Sequence, residues 1–419
     1  MSGHELDHAG AALANSSRAR GASASAAVRW ERDSPHAWRM VAAGFLATFT
    51  LFGVAYSFGA FFKPMAAEFG ASSSAISAIF SITAFIYFLL GPLTGHLADR
   101  FGPRPVAAFG AIAIGTGLVL TARIDRLPLA YLTYGLGVGI GVACCYVPLV
   151  AAVSGWFLKR RSTALGVAVS GIGAGTLTIA PLAAALIKHW GWREAYVFMG
   201  LGAAASLMVC AYLAEPPPIE LDTPKVSIAR VLRTPDFKLL YIACLLFTVA
   251  TAIPFIFLPP FAQSIGIKPI AAATLVGWIG LASTAGRLGL GTLADRFGMM
   301  RVYQGCILAL GLSFGLWLVA ESYAMLTLFA LAMGLSYGGA VALTPAVVAR
   351  MFGTNGLGVI LGTLYTGSAF GTLMGPPLCG MIIDRTGGYR LAVAFTMACT
   401  IVAFIVLLPL SHLDEPIED

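Results

Sequence analysis

One cation stands where a cation is costly. Arg287 lies inside the apolar run 271–294, about eight residues, or ~12 Å at ~1.5 Å per residue, from its nearer end. An Arg at the centre of an apolar layer costs about 2.5–3.5 kcal/mol on insertion scales, so it must face protein or water and find a partner. No acid can serve, because all 19 carboxylates fall in the tails, the polar connections or the ends of apolar runs. A guanidinium left without an acid is a seat for an anion, and its planar fork matches the two oxygens of a carboxylate. The structural alternative is an Arg held by backbone carbonyls and water. Ser283 stands one turn earlier on the same helix face. Tyr146, Tyr337 and Lys63 are further polar groups set in apolar runs. None of the histidines (His4, His8, His36, His96, His189, His412) lies in the middle of a run, so no proton relay through carboxylate or imidazole is legible.

The elements that must position these residues follow from composition. Of 419 residues, 58% are hydrophobic and only 11% charged, against about 45–50% and about 25% in ordinary globular chains. Mean hydropathy is +0.85. That excludes a soluble enzyme, a disulfide-rich secreted module and a nucleic-acid binder. Twelve apolar runs are expected to cross a membrane as helices, at 38–66, 73–97, 104–122, 128–156, 162–187, 192–214, 237–263, 271–294, 299–320, 323–350, 356–383 and 389–410. They are uniformly apolar, whereas barrel strands alternate. Residues 1–37 read as a disordered tail and 411–419 as an acidic one. The connection 215–236, with Pro216, Pro217 and Pro218, divides the chain into halves 38–214 and 237–410. Within it, Ile228, Val231 and Leu232 alternate with Arg230 and Arg233, as in a short helix on a membrane surface.

Familiar catalytic devices are missing from the sequence. There is no P-loop, no HExxH and no GxSxG, and Gly171-x-Gly173 follows no strand. An ATP-driven pump, a metal site and a resident cofactor are therefore not expected. The seven cysteines sit in apolar runs without CxxC spacing and read as helix-packing residues.

An internal repeat is the most specific feature. Gly95-His-Leu-Ala-Asp99-Arg100-Phe101-Gly102 recurs as Gly291-Thr-Leu-Ala-Asp295-Arg296-Phe297-Gly298, at an offset of 196 residues. The same offset carries Gly175-Thr-Leu onto Gly371-Thr-Leu and Pro181 onto Pro377. Two six-span halves of parallel topology mark secondary transporters.

The duplicated GxLADRxG octapeptide resembles the signature loop of the major facilitator superfamily, and the resemblance extends from Trp38 to Leu410. It implies an all-α membrane fold of twelve helices in two pseudo-symmetric six-helix halves. It also implies a gating role for Asp99, Arg100, Asp295 and Arg296. Pro103 and Pro105 flank Arg104 where that family has a run of basic residues. Trp156-Phe-Leu-Lys-Arg-Arg161 running into Gly171-Ile-Gly-Ala-Gly175, Gly191-Trp-Arg193, Ser57-Phe-Gly-Ala-Phe-Phe-Lys63 and Gly286-Arg287 are similar to the monocarboxylate porter and oxalate/formate antiporter branches. That narrower resemblance implies that Tyr146 and Tyr337 line a substrate cavity and that Lys63 takes part in anion and proton entry. Animal porters of the branch have an Asp where this chain has Ser283, and the Arg common in span 4 of proton-driven members is absent, with Tyr131 and Tyr134 near its place.

The expectation is a monomeric, non-enzymatic carrier of a small organic monocarboxylate, with the lipid bilayer as solvent and a proton or a second anion as counterpart. Rival readings are a drug or amphiphile exporter of the same fold and a membrane receptor that senses an anion without moving it. Lys and Arg favour the loops on the side of the N-terminus about two to one, which puts both termini in the cytoplasm of a cell-membrane protein. Cysteine introduced at Asp419 is therefore expected to react with an impermeant maleimide only after the cells are opened. Labelling in intact cells would reverse the orientation.

Overall fold

A computed structural model describes residues 34–157, 160–216, 231–353 and 357–410. The tails at 1–33 and 411–419 lie outside the described residues. So does 217–230, which holds most of the connection between the halves, including Ile228 and Arg230.

All the regular structure described is helical: α1 (Ala37–Tyr56), α2 (Phe58–Phe69), α3 (Ser73–Phe101), α4 (Pro103–Thr121), α5 (Leu127–Trp156), α6 (Arg161–Trp190), α7 (Trp192–Leu213), α8 (Pro235–Thr251), α9 (Ile253–Ser264), α10 (Pro269–Phe297), α11 (Met299–Leu318), α12 (Tyr323–Phe352), α13 (Leu357–Thr386) and α14 (Arg390–Leu407). With α1–α2 and α8–α9 each counted as one, eleven spans are long and apolar enough to cross a membrane. That count is made of the described residues; the remaining helix, α13, has the length of a span, at 30 residues.

The first span of each half is broken where the sequence reading expected a continuous helix. Pro254 has no N–H to continue α8 into α9. At the matching place in the first half, the Ser57 hydroxyl donates to the Val54 carbonyl at 2.7 Å, a local bond that competes with the helix ladder. The octapeptides also differ from expectation: they are helix rather than loop. Helices α3 and α10 run through Phe101 and Phe297, and the chain turns at one residue, Gly102 or Gly298, with φ of 86° and 95°. Such positive φ values favour glycine.

Hydrogen bonds between helix ends show the alternating course of the spans. At the end where α1 begins, here called proximal, Glu215 after α7 accepts from His36 at 2.9 Å, and its carbonyl accepts from the Trp156 indole of α5 at 3.2 Å. At the opposite, distal end, Glu68 of α2 accepts from Trp192 and Arg193 at the start of α7, and Arg193 also donates to the Ala122 carbonyl beyond α4.

Close helix approach repeats with the sequence. A Cβ at Gly175 on α6 would run into the Phe49 carbonyl of α1, and one at Gly371 on α13 into the Leu245 carbonyl of α8. Both members of the contact are displaced by 196 residues, so the repeat extends to atomic packing. Apolar lipid gives helices no hydrophobic reason to associate, and small residues that admit close contact supply the adhesion. Between the halves, α6 packs on α10 with Gly173 facing Gly280 and Thr284, and α3 packs on α13. Gly175→Val is expected to lower the melting temperature of purified protein through overpacking worth about 1–3 kcal/mol. Gly202→Ala, on α7 with open space around the added methyl, serves as the control and should melt no lower than the parent.

Candidate functional site

Arg287 is about four residues past the middle of α10, or ~6 Å along the axis. Gly286 and Gly338 let α10 and α12 approach to backbone contact, the first against the Leu335 carbonyl and the second against Ser283. The Arg287 side chain leaves that contact and crosses the seam, where an Nη donates to the Val169 carbonyl of α6 at 3.4 Å. Its Nε is buried with no hydrogen-bond partner. No carboxylate lies within ion-pair distance of it among the described residues. Ser283, one turn away, is 2% exposed, and its buried Oγ also lacks a partner. It is packed against α12 and is not open to the seam. The unsatisfied Nε of Arg287 leaves hydrogen-bonding capacity on the cation unused.

The structure brings Tyr146 of α5 and Tyr337 of α12 to the same place. Gly286, next to Arg287, and Gly338, next to Tyr337, both sit in the close contact of α10 with α12. Tyr56 of α1 and Tyr337 meet hydroxyl to hydroxyl at 3.5 Å across the seam. Phe52 packs against Tyr56, Tyr87 and Tyr146 with ring centroids 5.4, 6.4 and 5.2 Å away. Tyr56, Tyr87 of α3 and Tyr365 of α13 escaped the sequence reading. A single Tyr in an apolar run carries the same local signal whether it faces lipid, a neighbouring helix or a central cavity.

Lys63 is not part of this group. It is partly exposed on α2, seven residues or ~10 Å along the helix from Tyr56, toward the distal end. Asp99 and Arg100 occupy the last turn of α3 at the proximal end, both exposed, with the Arg100 guanidinium over the ring of Phe101 at 5.2 Å. They form no ion pair among the described residues. Arg296 is exposed in the matching turn of α10, and the side chain of Asp295 lies outside the described residues.

The distal ends of the halves are in contact. Tyr56 stacks on Phe255 of α9 at 4.0 Å, and Phe62 meets Phe257 at 5.3 Å. A carboxylate locks a second point. Asp384 of α13 accepts from the backbone N–H of Ser73 at 2.8 Å and of Ser74 at 3.0 Å, and from the Ser74 hydroxyl at 2.9 Å. The first turn of α3 thus receives an acidic cap from the other half of the chain, beside its own Ser72 cap on Ala75. Ser72-Ser73-Ser74 reads as a helix start, but nothing local names a partner 310 residues away.

The model of the Major Facilitator Superfamily matches residues 44–322 and 280–418. The chain belongs to that superfamily. Monocarboxylate transporter 13 of Rattus norvegicus is 29% identical over 386 residues, covering 91% of this chain and 90% of the relative. Monocarboxylate transporter 12 of Homo sapiens is 29% identical over 400 residues, covering 86% and 77%. Within the superfamily the chain resembles the monocarboxylate porter branch. A bacterial homolog of the human lysosomal transporter Spinster, in an inward-facing and unoccupied conformation, superposes with a TM-score of 0.71 at 16% identity, over 91% of this chain and 98% of the other. This likeness shows the facilitator fold.

Asp384→Ala removes the cap that joins the halves. Loss of a cap costs about 1 kcal/mol, which is about fivefold in a conformational equilibrium. A cysteine placed at Ser77, buried one turn inside the capped end of α3, is expected to react correspondingly faster with a soluble maleimide in the Asp384→Ala background.

Proposed function

We propose that this facilitator carries a small organic monocarboxylate across the cell membrane by alternating access about the Arg287 seam. The observation that carries this reading is a guanidinium near the middle of its span, with its Nε unpartnered and no carboxylate beside it. Substrate carboxylate would take the vacant fork and could displace the long bond to Val169. Tyr146 and Tyr337 offer hydroxyls to the same anion. The names of the rat and human relatives point to the same substrate class. On the orientation inferred from loop charge, the proximal end is cytoplasmic, and Asp99, Arg100, Asp295 and Arg296 belong to the gate at that end. Lys63 then stands toward the outer mouth, as an entry group for the anion. The energetic partner is a proton or a second anion, and the working unit is the monomer.

Direct binding to purified, monodisperse protein tests the assignment. Arg287→Lys keeps the charge and loses the bidentate fork. A charge-assisted contact contributes about 1.5–3 kcal/mol, so calorimetry with lactate should register affinity about 10- to 150-fold weaker. Arg287→Ala should abolish carboxylate binding without unfolding the bundle, since removing a costly buried charge need not destabilise it. Unchanged affinity in the Ala variant sinks the assignment.

A further inference from the structure

A network of aromatic contacts crosses the seam in which Arg287 lies, with rings from both halves. The first half supplies Phe52, Tyr56, Tyr87 and Tyr146. The second supplies Phe247 and Phe255, which pack on Tyr337 at 6.3 and 6.2 Å, together with Tyr365, which lies 6.2 Å from Phe88. We infer that the carried acid bears an aryl group, which these rings receive while Arg287 holds its carboxylate. The inference rests on the monocarboxylate reading and narrows it.

Rings that only fill a core are sealed. Tyr134 and Tyr196, which pack together at 5.7 Å nearer the distal end, are each 1% exposed. Tyr87, Tyr146, Tyr337 and Tyr365 instead keep part of their surface accessible while standing inside long spans and touching rings of neighbouring helices. Partly exposed ring surface is what a guest at the seam would contact. Several contacts are steeply inclined: Phe52 meets Tyr146 at 84° and Tyr87 at 77°, and Phe255 meets Tyr337 at 66°. An edge-to-face pair covers a face of only one of its two rings, so ring faces remain for another aromatic to use.

The polar atoms agree with such a guest. Among the described residues the hydroxyls of Tyr87, Tyr146 and Tyr365 make no hydrogen bond, and the pair Tyr56–Tyr337 is long at 3.5 Å. A small aliphatic acid would satisfy Arg287 and leave the ring faces against water. An aryl group on the same acid would bury those faces, adding edge-to-face contact to the gain from apolar burial. The site holds no acid among the described residues to suit a cationic body.

Three acids with one head group separate the possibilities: lactate, 3-phenyllactate and 3-cyclohexyllactate, each titrated calorimetrically into purified full-length protein. The cyclohexyl ring matches the phenyl ring in size and is more hydrophobic, so generic greasiness favours it. Phenyllactate is expected to bind at least tenfold tighter than lactate and tighter than cyclohexyllactate. In Phe52→Leu, and separately in Tyr146→Leu, the phenyllactate-to-lactate affinity ratio should fall at least threefold, while Tyr146→Phe, which keeps the ring, should retain it. Comparable affinities across the series, or tightest binding of cyclohexyllactate, overturn the inference and leave the carboxylate reading standing. Absence of binding by all three acids, in protein that melts cooperatively, removes both.

Discussion

The site depends on one unbalanced charge. A guanidinium in the interior of an apolar bundle must be hydrogen-bonded or leave a partner wanting, and among the described residues its one bond is a long one across the seam. That bond ties Arg287 of the second half to α6 of the first, so whatever occupies the fork touches the contact between the two halves. On the reading proposed above, binding and the relation of the halves share one atom group, which is what alternating access needs.

Symmetry builds the frame, and its local failure makes the site. The offset of 196 residues that relates Gly175 and Phe49 to Gly371 and Leu245 also relates Arg287 to Gly91 and Ser283 to Tyr87. The frame positions are alike because each half solves the same problem of adhesion in lipid. The chemical positions differ because a second arginine opposite the first would repel it and bring its own burial cost. A duplicated fold thus presents a cation on one wall only, with rings on both.

The distal closure uses two unlike forces at two places. Between α2 and α9, aromatic stacking holds the halves, and its strength lies in matched apolar shape. Between α3 and α13, Asp384 satisfies backbone donors that a helix start leaves orphaned. Such a cap is directional and separable, because water can replace the carboxylate when the halves part. On the alternating-access reading proposed above, contacts of this kind suit a joint that opens more than a packed core would.

The sequence alone determined the membrane fold, the number and near limits of the apolar runs, the division into halves and the identity of the lone cation. Each of these is a property of composition or spacing along the chain, and lipid enforces it residue by residue. Arg287 was legible because a charge at membrane depth is costly wherever the helix packs. The broken first spans were not, because Ser57 disturbs its helix only through a rotamer that the surroundings select, and Pro254 lies in a segment whose other residues read as continuous helix. The helical octapeptides were misread as loops because Gly102 and Gly298 each turn the chain in a single residue. Tertiary structure alone decided which of thirteen tyrosines face Arg287, that Ser283 is sealed behind it, that Lys63 stands apart and that Asp384 reaches across 310 residues to Ser74. Those facts depend on how helices rotate about their axes and cross. Uniformly apolar helices carry no periodic stripe to announce that rotation, so packing of both halves together had to fix it.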